Sequence, residues 1–125
     1  MLIDDFTDEG LVSKLGTQWR GVSDQVMGGI SETTISHGVI DSRPCLRMTG
    51  DVRLDNNGGF IQAALDLTYR GETLDASGYS GVSMIVRGNG EKYSVRLCQT
   101  NANQVEIANL GGRSKAQKLV VLYNH

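Results

Sequence analysis

The stretch LRMTGDVRLDNNGGFIQAALDL, Leu46 to Leu67, decides the fold class. Its first half alternates, with Leu46, Met48, Val52 and Leu54 on one side and Arg47, Thr49, Asp51 and Arg53 on the other. A β-strand turns successive side chains to opposite faces, so the pattern predicts a sheet with one apolar and one wet face. Gly50 falls on the apolar side, where a strand glycine marks a bulge or a close backbone approach. The second half resumes the alternation, with Ile61, Ala63, Leu65 and Leu67 inward and Gln62 and Asp66 outward. Phe60 is out of phase with that set and is expected to point away from the core face. Between the halves, Asn56-Asn57-Gly58-Gly59 supplies consecutive positions that tolerate positive φ, so the backbone can bend sharply and present its amides in a concave array.

The same period runs outward from this stretch. Val82, Met84 and Val86 form another inward set, and Gly88-Asn89-Gly90 separates it from Tyr93, Val95 and Leu97. Two strand patterns joined by Gly and Asn predict a hairpin. Leu119–Tyr123 is a continuous apolar run, like a strand covered on both faces. Upstream, residues 8–15 read as a short helix with Leu11, Val12 and Leu15 on one side, although Gly10 weakens it. Sixteen glycines against the single Pro44 suit many tight turns. There is no internal repeat, low-complexity tract or linker. The expectation is one all-β domain over residues 1–125, a jelly-roll β-sandwich with at most one short N-terminal helix.

Composition removes several function classes. The chain is 39% hydrophobic and 21% charged, which is ordinary for a globular protein. A net charge of -2 with scattered Lys and Arg lacks the clustered basic face that displaces counterions from nucleic acid. The densest basic group, Arg113, Lys115 and Lys118, reads as a solvated stretch. The opening Met1–Glu9 has no basic region before an apolar run and is too acidic for a mitochondrial presequence. No apolar run is long enough to span a bilayer. A bacterial cytoplasmic location is expected, with Cys45 and Cys98 as free thiols.

Catalytic and metal chemistry find no constellation to carry them. His37, Cys45, Cys98 and His125 lack the closely spaced ligand pairs of structural zinc sites. Asp4, Asp5 and Asp8 could contribute to a calcium site, but without a spaced oxygen-ligand loop they read as an acidic, solvated start. No sequence context favours either histidine as the base of a Ser-His-acid or Cys-His arrangement. Gly88-Asn89-Gly90 and Gly111-Gly112-Arg113 lack the strand–turn–helix setting of a phosphate loop and read as turns. No enzymatic activity, cofactor or metal is expected.

Two segments exceed what ordinary turns require: WRGVSDQVMGGIS, Trp19 to Ser31, and LDNNGGFI, Leu54 to Ile61. Together they resemble the signature of the complex I intermediate-associated protein family, in which W…SD.VMGG.S precedes a strand carrying NGGF. LDASGYSGVSMIVRGNGEKYSVRL, Leu74 to Leu97, is similar to a third conserved stretch of that family, and the likeness spans roughly residues 3–98. It implies a galactose-binding-like jelly roll. It also implies work of the kind done by mitochondrial members, which act as chaperone-like factors in the assembly of respiratory complex I. Carried over by position, the signature residues are Trp19, Ser23, Asp24, Met27, Gly28, Gly29, Ser31, Asn57, Gly58, Gly59 and Phe60. Gln25 stands where many members have glycine.

For these residues the bland reading competes with the functional one. Trp19 reads as a core anchor whose indole N–H needs a buried partner. Asp24 reads as an acceptor for backbone amides near Asn57–Gly59 or within its own loop. Phe60 is the candidate exposed contact. The functional expectation is a non-enzymatic interaction or assembly module whose partner is a protein, a respiratory-complex or other assembly client. A carbohydrate-binding module is the alternative, disfavoured because no two aromatics stand at i, i+2 on a strand. Residues 101–125 do not resemble the family's C-terminal strands, which suggests a sandwich completed differently or by a second copy. A homo-oligomer with residues 101–125 in the interface is therefore expected.

Overall fold

A computed structural model of the protein describes residues 1–57, 59–69, 72–98 and 115–124. Its strands are β1 (Arg20–Ser23), β2 (Glu32–Ile40), β3 (Arg43–Asp51), β4 (Phe60–Asp66), β5 (Leu74–Asp75), β6 (Tyr93–Cys98), β7 (Lys115–Ala116) and β8 (Lys118–Asn124). All the pairings are antiparallel. β1, β4, β8 and β6 form a four-stranded sheet in that order, β2 and β3 form a long two-stranded ribbon, and β5 and β7 a short pair. The protein is all-β, as the alternation predicts.

The register explains the core. Leu65 lies opposite Leu119, which in turn lies opposite Leu97, so three leucines stand side by side on one face of the sheet. With Ala63, Leu67, Trp19 and Leu11 they form the main cluster, and Leu65 at its centre is 0% exposed. The ribbon closes over this cluster with Ile35, Leu46 and Met48. Burying each such side chain contributes about 1.5–3 kcal/mol. The other face is apolar too, where Ala64, Val120 and Leu122 pack with Val22 and Phe60. That accounts for the unbroken apolar run at Leu119–Tyr123, since β8 is a central strand buried from both sides.

Gly50 is a close approach. A Cβ there would lie 2.3 Å from the Glu32 carbonyl oxygen, and the register runs through Thr33 opposite Gly50 without an extra residue. The ribbon turns at Asp41-Ser42, both at positive φ (50° and 62°), between Ile40 and Arg43. Two central residues at positive φ match the right-handed twist of the strands they join.

Four sequence expectations fail. Residues 8–15 form no helix. The Asp8 carboxylate accepts the Val12 amide at 3.0 Å, the Asp8 carbonyl accepts the Leu11 amide, and Leu11 sits at φ 61°. The chain then folds back, with Ser13 donating to Thr17 and Trp19 donating to Leu11, and this brings Leu11 and Trp19 into the core. Leu54 does not continue the inward set, because β3 ends at Asp51 and Leu54 is exposed. Residues 82–86 form no strand, and Ile85 is 82% exposed. Nor does Gly88-Asn89-Gly90 join a hairpin: with no strand at residues 82–86, Tyr93–Cys98 is paired with β8. That pairing sets Leu97 beside Leu119 in the core, burial that an isolated two-stranded hairpin does not provide.

The tail is settled in part. Residues 118–124 pair with β4 on one side and β6 on the other within the same chain. They complete the protomer's own sheet. Gly111-Gly112-Arg113 lies outside the described residues. Among those described, no helix is long and apolar enough to cross a membrane.

Candidate functional site

The site begins with a buried carboxylate. β1 ends at Ser23, whose hydroxyl accepts the Gln25 amide at 3.3 Å and caps the single 3-10 turn Asp24–Met27. Gly28, at φ 86°, ends that turn in the left-handed region, and the Gly28 and Gly29 amides donate back to the Gln25 and Asp24 carbonyls. The tight turn drives the Asp24 side chain inward, where it is 0% exposed. An ionised carboxylate in that position requires donors around it.

It has four. The Ser31 amide donates to Asp24 Oδ1 at 2.9 Å, and the Ser31 hydroxyl donates to Oδ2. From the other segment, the Gly59 and Phe60 amides donate to the same Oδ2, at 2.5 and 3.3 Å. Asp24 thus accepts amides both from its own loop and from the Asn-Gly segment. Burial alone would raise its pKa. The Ser31 hydroxyl and the Gly59, Ser31 and Phe60 amides outweigh burial and hold the carboxyl below its ordinary value of 3.8.

Further bonds tie the two segments. Ser31 Oγ accepts the Arg53 amide at 2.8 Å, Asn56 Nδ2 donates to the Gly28 carbonyl at 3.2 Å, and Gln25 Nε2 donates to the Ser31 carbonyl at 2.9 Å. Asn56 itself occupies the left-handed region at φ 57°, and Gly59 lies at φ 130°. Gln25 and Arg53 are the contributors the sequence reading missed, and Asn56, read there only for its backbone, contributes its side chain as well. Gln25 stood out only as a departure from a glycine, and the Arg53 contribution comes from a backbone amide that no side-chain pattern marks.

Other signature residues divide by role. Trp19 is buried; its indole N–H donates to Asp4 Oδ2 at 2.8 Å and its ring lies 5.9 Å from that of Phe6. The acidic start therefore contains the partner the tryptophan needs. Phe60 is half-buried against the second face of the sheet, so its ring is not the exposed contact expected. Asn57 is described by its backbone alone, and Gly58 lies outside the described residues.

Exposed apolar side chains surround the knot. Val26 and Met27 on the 3-10 turn, Ile30 before Ser31, and Leu54 beside Asn56 are all exposed, Met27 and Leu54 each at 58%. Four such groups stand on the two segments that the buried carboxylate joins, and these four are the apolar rim of the Asp24 knot. No nucleophile–base pair sits in it, and among the described residues no group of three His, Cys, Asp or Glu side chains is arranged to hold a metal. His37 is held within the fold, its Nε2–H donating to the Phe6 carbonyl at 2.7 Å, and Cys45 is a free thiol on the ribbon.

Gly29 tests the packing of the knot. A Cβ at Gly29 would lie 2.4 Å from Asp24 Oδ1 and 2.9 Å from Asp24 Cβ, whereas one at Gly28 would meet nothing within 4 Å. Because four donors hold the carboxylate in place, Gly29→Ala is expected to cost about 1–3 kcal/mol by overpacking. Gly28→Ala should cost about 1–2 kcal/mol through its left-handed φ alone. Chemical denaturation measures both costs, and native-state amide exchange at Gly59 should be accelerated in the Gly29 variant only.

Comparison with known proteins now bears on this arrangement. The model of the complex I intermediate-associated protein 30 family matches residues 5–119. The match extends through the segment after residue 98, where the sequence reading found no likeness. Comparison with curated proteins gives no match, and neither does comparison with solved structures.

Proposed function

This chain belongs to the complex I intermediate-associated protein 30 family, and on that premise we propose that it is a non-enzymatic assembly module that holds a protein client. The observation that carries the reading is the apolar rim of Val26, Met27, Ile30 and Leu54 around the Asp24 knot. Apolar groups presented on a backbone fixed by buried hydrogen bonds lose little conformational freedom on binding. A chaperone-like factor needs such a surface, because an unassembled subunit exposes apolar faces destined for its neighbours. The family supports a client from respiratory complex I. A galactose-binding-like jelly roll and a cytoplasmic location are parts of the same proposal. So is self-association, now narrowed: β8 pairs inside the protomer, and among the described residues β6 is an edge strand of the four-stranded sheet, with Tyr93 and Val95 exposed.

The test is a charge placed on the rim. Val26→Asp combined with Met27→Asp alters two exposed side chains, so stability should change by less than about 0.5 kcal/mol per site. Affinity purification of the parent chain should recover complex I subunits, and the double variant should lose them while melting like the parent. Equal recovery by both would remove the rim from the interface. The carbohydrate alternative draws on one observation, the Tyr93 and Tyr123 rings brought within 5.6 Å across neighbouring strands.

A further inference from the structure

A cleft of about 380 Å3 opens where the ends of β3, β4, β8 and β6 meet. Its floor follows from register. Ile61 lies opposite Tyr123, and Tyr123 opposite Tyr93, so the three side chains stand in a row on one face of the sheet. The two tyrosine rings are 5.6 Å apart and inclined at 48°. Met48, Thr49 and Gly50 of β3, with Val52 beyond it, form one wall. Asn89 and Glu91 form the other. Asn89 Oδ1 accepts both the Tyr93 hydroxyl, at 2.8 Å, and the Glu91 amide, at 3.2 Å, which fixes this second wall beside the rings.

The charge of the cleft is one-sided. Among the described residues, Glu91 has no ion-pair partner and no Lys or Arg side chain lines the space. An anion would find no cationic donor there. A cation would find a carboxylate and the negative faces of two aromatic rings, the combination that draws ammonium and guanidinium groups out of water. The volume falls within the range of small-ligand sites. We infer that this cleft binds an organic cation, an alkylammonium or guanidinium group, held by Glu91 over the Tyr93–Tyr123 pair. The site shares no lining residue with the client rim and does not depend on the assembly reading.

Amide NMR titration of the full chain tests it, with n-butylammonium, ethylguanidinium and an acetylated, amidated Gly-Lys-Gly peptide as probes. The neutral controls are 1-butanol and methyl β-galactoside. Saturable shifts confined to residues 89–93, Tyr123 and Thr49–Gly50 are expected with at least one cation and with neither control. Glu91→Gln, an exposed change, should weaken that binding roughly tenfold or more. Saturation by the small cations alone identifies a free amine as the source. Saturation by the peptide as well identifies a lysine side chain of a partner. Absence of localised shifts with every cation, equal response to 1-butanol, or undiminished binding by Glu91→Gln overturns the inference. Saturation by methyl β-galactoside in place of the cations overturns it in favour of a sugar. None of these outcomes bears on the Val26 and Met27 variant, which tests the client surface by itself.

Discussion

Asp24→Ala is expected to lower the melting temperature by about 10 °C or more, a large effect for a single polar residue. The substitution leaves the Ser31, Gly59 and Phe60 amides and the Ser31 hydroxyl without their acceptor in a site closed to water. Unpaired buried donors lose their hydration with nothing in return. The damage should spread beyond the loop, because the same oxygen joins the turn after β1 to the start of β4. Hydrogen exchange would show it as faster exchange at Ser31, Gly59 and Phe60 together. Exchange accelerated at Ser31 alone would mean that the two segments are held by Asn56 and Arg53 instead.

The pH dependence of the same residue follows from its lowered pKa. In the unfolded chain the carboxyl titrates near 3.8, and in the folded chain it titrates below that. Above 3.8 both forms are ionised and the full contribution of Asp24 to stability is present. As pH falls below 3.8 the unfolded form takes up its proton first, and the contribution declines until the folded form is protonated too. The difference in stability between the parent and Asp24→Asn should therefore be flat above that value and shrink below it. A difference that grows on acidification would contradict the hydrogen-bond geometry.

Leu65→Ala carries the other large effect, about 2–5 kcal/mol, seen as a lower urea midpoint at an unchanged slope. Leu65 is fully buried beside Leu119 of β8, in the cluster that the ribbon residues Ile35, Leu46 and Met48 pack against, so the lost methyl groups leave a cavity that the sheet cannot collapse to fill. Val86→Ala is the informative companion. Val86 is 73% exposed and should cost less than about 0.5 kcal/mol. A cost near that of Leu65→Ala would place residues 82–86 in a packed strand.

Legibility followed the range of the interaction. The strand at Phe60–Asp66 could be read because its inward residues Ile61, Ala63 and Leu65 recur every second position, and pleating turns that spacing directly into a buried face. The phase of Phe60 was readable for the same reason, but its surroundings were not. Whether the opposite face is wet depends on what covers it, and here Ala64, Val120 and Leu122 make it apolar. Gly88-Asn89-Gly90 carried a stronger hairpin signal than Asp41-Ser42, yet the ribbon turns at Asp41-Ser42. Nine residues on each side pair across that turn, and this long ladder forces two non-glycine residues into positive φ. At Gly88–Gly90 no such ladder forms, because residues 82–86 are not a strand, and Tyr93–Cys98 finds its partner in β8.

The candidate site divides in the same way. That Asp24 needs amide donors, and that glycines and asparagines nearby can supply them, was readable from residue chemistry alone. That Oδ2 collects the Gly59 and Phe60 amides from 35 and 36 residues away was not. The Trp19 indole announced its need for a partner, but only folding showed that Asp4 meets it.

By itself, then, the amino-acid sequence determined the all-β class, the inward residues of β4, the central character of β8 and the family to which the chain belongs. Each of these is written in spacing or in contiguous motif, because side-chain direction along a strand depends only on the local backbone. The tertiary structure alone decided which strands pair, where the ribbon turns, which faces stay exposed, and how Tyr93 and Tyr123 come to share a cleft. Pairing depends on which distant edge offers the most burial for its loop-closure entropy, and no local spacing records that competition.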